Sequence, residues 1–105
     1  MFGNIMDMMN KLQAVQGKFE ELKNRLDAQQ FTETSSDGQL SITLTELATI
    51  KDIQINDELL SDKEQLEDLL VVTLNNALEK VKKNAIEEAK NTAKENLPSI
   101  PGLGL

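Results

Sequence analysis

Leu40-Ser41-Ile42-Thr43-Leu44-Thr45 decides the fold, because apolar and hydroxyl side chains alternate through it without a break. A period of two is the pattern of a strand with one face buried and the other in water. Just upstream, Asp37-Gly38 marks a hairpin turn, since glycine accepts positive φ. The polar, threonine-containing run QQFTETSS at 29–36 is then a first strand. Downstream, Ile53 and Ile55 mark a third strand in DIQIN, with Ile50 one residue out of phase. The expectation is a three-stranded antiparallel meander.

The period changes on both sides of this block. From Asn4 to about Ala28, the residues Ile5, Met8, Leu12, Val15, Phe19, Leu22 and Leu26 recur at alternating spacings of three and four, a heptad seam. Asn4 can cap the amino end, and Asp7 suits the positive end of the helix dipole. Gly17 weakens the helix by about 1 kcal/mol relative to Ala, a cost that seven seam positions outweigh. Such a narrow apolar stripe needs a partner helix. Ser61-Asp62-Lys63-Glu64 spells a capping box that starts a second long helix, stopped by Leu97-Pro98. Its apolar face is Leu66, Leu70, Leu74, Ala77, Leu78, Val81 and Ala85, with acids in the first turns and lysines toward the other end. The fold class is therefore α+β in the order α-β-β-β-α, a single domain over residues 1–97 followed by a flexible tail containing proline and glycine at 98–105.

Composition narrows the function. The 105 residues include no Cys, His, Trp or Tyr and only three Phe. No imidazole base, thiol nucleophile, disulfide or Cys/His zinc site is available, so the chain reads as neither an enzyme nor a cofactor or metal carrier. Asn56, Asp57, Glu58 and Asp62 lack the order and the central glycine of an EF-hand loop. Glu67-Asp68 and Glu87-Glu88 point to different helix faces and make no paired-carboxylate site. Asp7 and Lys11 interrupt the apolar N-terminus before a signal-peptide core forms, and no apolar run approaches the roughly 20 residues that span a bilayer, which points to a cytoplasmic protein. Met1, Met6, Met8 and Met9 gather at the front, as core fillers or as an adaptable binding surface.

The net charge of −7 is unevenly spread. Residues 4–28 balance four acids against four bases, residues 29–60 carry six acids and only Lys51, and residues 61–97 carry eight acids and six bases. With Ile5 at heptad position a, Lys11, Lys18 and Arg25 fall at g and Lys23 at e, while Asp7, Glu20, Glu21 and Asp27 fall at b and c. Cations thus edge the seam and acids face away. On the second helix, Lys80, Lys83, Lys90 and Lys94 project opposite Leu74 and Val81, with Glu87 among them. Both rows have two readings: solvated edges that pair with neighbouring acids, or stripes that hold phosphates. Without aromatics to stack on bases, a phosphate surface would favour duplex over single strands and give little sequence readout.

The order helix, meander, helix, together with MFGN at the start, Gly38 followed by QLSITLT, the stretch NDELLSDKEQLEDLL, and LNNA, resembles the YbaB/EbfC family of bacterial nucleoid-associated proteins over nearly the whole chain. That resemblance implies a homodimer whose helices project as arms from a joined sheet core, binding DNA in the nucleoid. The chain departs from the family pattern at Thr45-Glu46, where an Asn-Gly turn is common, and at Lys51-Asp52, where a basic pair is common. The expected DNA-binding residues, Lys11, Lys18, Lys23, Arg25, Lys80, Lys83, Lys90 and Lys94, come from the charge projection rather than from any family motif. The alternative is an acidic scaffold or small chaperone whose heptad helices grip a helical client.

Overall fold

The computed structural model describes residues 2–96. The expected tail at 98–105 lies outside them. Helix α1 (Phe2–Ala28) leads into strands β1 (Gln30–Thr34), β2 (Leu40–Thr45) and β3 (Ile50–Ile55), then a 3-10 turn at Asp57–Ser61 and helix α2 (Lys63–Asn96). The sheet is an antiparallel meander of order β1-β2-β3. The α-β-β-β-α order matches the sequence reading.

Burial along β2 follows the alternation that identified it. Leu40, Ile42 and Leu44 are fully buried, and Ile42 and Leu44 pack with Ala77 and Val81 of α2, flanked by Phe31 and Leu74. Ser41 and Thr43 stand on the opposite face, where Thr32 and Thr34 of β1 share hydroxyl hydrogen bonds with Thr43 (2.9 Å) and Ser41 (3.3 Å). Asp37-Gly38 forms the turn as expected, with Gly38 at φ +75°. Asp37 Oδ1 accepts hydrogen bonds from the Ser35 hydroxyl (2.7 Å) and the Gln39 N–H (3.1 Å), which hold its carboxyl below the ordinary value of 3.8. Ser35 Oγ in turn accepts from the Leu40 N–H at 3.1 Å, tying the turn to the first core residue.

The phase problem at Ile50 is resolved by a register shift. Thr43 pairs with Asp52 and Leu44 with Ile50, so Lys51 is an extra residue on β3. A bulge of this kind returns a strand to phase. Ile50, Ile53 and Ile55 consequently oppose Leu44, Ile42 and Leu40 and share their helix-facing side of the sheet.

Two local expectations are corrected. Helix α1 begins at Phe2, so Asn4 lies inside the helix and does not cap it. Asp62, not Ser61, caps α2: its Oδ1 accepts from the Gln65 N–H at 3.1 Å, while the Ser61 hydroxyl donates to the Glu58 carbonyl and closes the preceding 3-10 turn. The capping box therefore slides by one residue, because the 3-10 turn claims Ser61. The turn between β2 and β3 is built on Thr45, whose Oγ1 accepts from the N–H groups of Leu47 and Thr49, and it places Ala48 at φ 66°.

Candidate nucleic-acid interface

The two helices run antiparallel, with Arg25 of α1 opposite Glu88 of α2 and Lys18 beside Glu95 and Asn96. The heptad seam is only half used by this pairing. Leu22 and Leu26 are buried and Val15 and Phe19 half-buried, but Ile5, Met8 and Leu12 remain 53%, 64% and 58% exposed. The amino-terminal half of α1 extends past Asn96 as an arm, in a molecule 72 Å long and 26 Å by 16 Å across.

The eight cations singled out in the sequence divide into two groups. Three are engaged by carboxylates: Lys18 with Glu21 (3.4 Å), Arg25 with Glu88 (2.6 Å), and Lys80 with Glu33 of β1 (2.6 Å). The Glu33 side chain is only 11% exposed, so Lys80 supplies the countercharge to a largely dehydrated carboxylate. Lys11, Lys23, Lys83, Lys90 and Lys94 are exposed and, among the described residues, lie within salt-bridge distance of no carboxylate. Projection at 100° per residue puts Lys83, Lys90 and Lys94 within about 40° of one another, on the side of α2 away from buried Val81 and Thr92. Arg25 and Lys18 instead stand at the junction between the helices. The structure thus brings three lysines into one solvent-facing row and does not merge them with the α1 row.

The sequence reading weighed Glu88 only as half of an adjacent acid pair and did not single out Glu33. Their roles depend on which helix and which strand face them, information carried by no local spacing. Lys82 and Lys51 are further exposed cations, the latter at the β3 bulge. The four residues weighed for calcium act in capping or remain at the surface: Asn56 Oδ1 accepts from the Glu58 N–H and Asp62 caps α2. No helix among the described residues is long and apolar enough to cross a membrane.

A second feature adjoins α2. Because Lys80 reaches β1, the opposite flank of α2, carrying Val71 and Leu78, faces β3. There Ile50, Ile53 and Ile55 are exposed, since α2 packs over β1 and β2 and leaves the isoleucine column uncovered.

Residues 1–97 match the YbaB/EbfC DNA-binding family. A nucleoid-associated protein of Flavobacterium johnsoniae is 48% identical over 100 residues, covering 95% of this chain and 94% of its own. One from Xanthomonas axonopodis pv. citri is 31% identical over 105 residues, covering 100% of this chain and 98% of its own. Among solved structures, the uncharacterized protein HP0035 from Helicobacter pylori superposes with a TM-score of 0.77 at 28% identity, over 80% of this chain and 90% of that one.

Proposed function

The chain belongs to the YbaB/EbfC DNA-binding family, and from that premise we propose that it is a nucleoid-associated protein that binds duplex DNA as a homodimer in the cytoplasm, using cations on its helices and little base readout. The observation that carries the phosphate-binding part of this reading is the row Lys83, Lys90 and Lys94, exposed and, among the described residues, unclaimed by carboxylates in a chain of net charge −7. Glu79 and Glu87 lie one helical turn from members of the row but form no bridge with them, and a base that no carboxylate holds is available to a polyanion. Lys11 and Lys23 join this available set. Lys18, Arg25 and Lys80 are held by acids, and for them a phosphate has to displace a carboxylate first.

Dimerisation is supported by the uncovered isoleucine column. An edge strand with three exposed isoleucines beside an apolar helix flank is a surface that a 105-residue domain gains by burying. A second copy offers the same column to the first. Doubling the chain also doubles the number of lysine rows on one DNA, which helps offset the repulsion from the acidic sheet.

Fluorescence anisotropy of a random-sequence duplex, titrated at several salt concentrations, tests this mechanism. Three or four phosphates neutralised per protomer give a log–log slope of about −5 to −7 for the dimer. A slope near zero rejects it. Sedimentation equilibrium with and without the duplex tests the stoichiometry, and a single protomer at micromolar concentration removes the dimer.

A further inference from the structure

The exposed half of the α1 seam has no partner among the described residues of the protomer, although its residues are those of a contact surface. Ile5, Met8 and Leu12 form one apolar row along the arm, with Met9 at its edge. The charges directly bordering that row are cations, although Lys18 also bridges to Glu21 at 3.4 Å, an exposed pair that a phosphate has to displace. Lys11 and Lys18 occupy g positions, Met9 and Gln16 occupy e positions, and Asp7, the only acid between Gly3 and Lys18, lies at c on the far side. The row therefore fits a partner that is apolar in its interior and anionic along its margins.

A second α1 arm is not such a partner. In a parallel pair, g of one helix meets e of the other, bringing Lys18 against Lys23; in an antiparallel pair g meets g, bringing lysines together. Neither arrangement supplies an acid. A DNA duplex has the required chemistry, with stacked apolar base faces between two lines of phosphate.

Resting on the DNA-binding reading above, we propose that the free arm of α1 is a wedge, in which Ile5, Met8 and Leu12 enter the minor groove and part a base step while Lys11 and Lys18 hold the flanking phosphates. An α-helix, about 10–12 Å across, does not fit a minor groove about 6 Å wide. Insertion opens the groove and unstacks the step, and the duplex kinks away from the wedge. The arm suits this task because it projects beyond the α1–α2 contact and carries nearly balanced charge in an acidic molecule. Apolar side chains at its surface, costly in water, find a dry site between bases.

The test uses the full chain and its Ile5→Ala/Met8→Ala/Leu12→Ala variant, which keeps the helix because Ala is the strongest helix former and all three positions are exposed. Duplexes carry 2-aminopurine at scattered positions, or a donor and acceptor dye at the two ends. The wild-type protein is expected to raise 2-aminopurine emission and shorten the end-to-end distance. The variant is expected to lose both signals and bind about tenfold more weakly, with its salt slope unchanged. Wild-type binding that is salt-dependent but leaves both signals flat overturns the wedge while leaving the DNA-binding reading intact; no binding at all removes the reading itself. The wedge is equally overturned if the variant keeps both signals, or if its only change is weaker self-association or weaker adsorption to phosphatidylserine vesicles.

Discussion

Replacing Lys83, Lys90 and Lys94 together by Gln removes three ammonium groups from one face of α2 without breaking an ion pair among the described residues. Each neutralised phosphate contributes about 0.9 to the slope of log affinity against log salt. A dimer that gives up three contacts per protomer therefore loses about 5 from that slope, nearly all of the expected value. The right control changes the net charge equally: Arg25→Gln/Lys63→Gln/Lys80→Gln removes three cations that already sit on Glu88, Glu67 and Glu33. Those cations release few counterions on binding, so the control slope falls by less than about 2. Both slopes come from anisotropy titrations of the same duplex, with circular dichroism confirming that the helices persist. The three lysines are exposed, so stability in the row variant stays within about 0.5 kcal/mol of wild type. If the control lowers the slope as much as the row variant does, the division of cations into held and available is wrong.

Further measurements address the fold and the assembly. Ala48→Gly relieves a left-handed backbone at φ 66° and is expected to raise unfolding stability by about 0.5–1 kcal/mol in urea; a lower midpoint would contradict the strain. Asp37 has its carboxyl lowered by the Ser35 hydroxyl and the Gln39 N–H, so its contribution is complete above the unfolded value of 3.8 and is lost as pH falls through the lower folded value. The stability gap between wild type and Asp37→Ala should narrow as urea midpoints are followed from about pH 6 down to pH 2, and a constant gap would refute the assignment. Ile53→Asp places a charge in the uncovered column and is expected to shift sedimentation toward single protomers with the circular dichroism spectrum retained; an unchanged mass would put the dimer contact elsewhere.

The elements were legible because their periods differ. Six alternating residues fixed β2, and everything that had to cover Leu40, Ile42 and Leu44 followed from it. Helix ends were less legible: Ser61 and Asp62 both cap well, and only the 3-10 turn at Asp57–Ser61 decides between them. Ile50 could not be phased from spacing alone, because a bulge adds a residue without any local mark. At the candidate interface, helical projection found the row on α2 but not the acids that hold Arg25 and Lys80. Glu88 lies 63 residues from Arg25 and Glu33 lies 47 from Lys80, distances over which only the folded chain sets the pairing.

The way α1 is fastened has a mechanical consequence. Leu22 and Leu26 clamp its carboxyl-terminal half, with Arg25 bonded to Glu88, while Gly3–Gly17 makes a lever of roughly 22 Å. A tilt of about 10° at the clamp, the scale of ordinary helix-packing adjustments, sweeps the tip through about 4 Å. Sub-ångström repacking around Leu22 is thus magnified at Ile5, so the position of the tip is governed by side chains far from it.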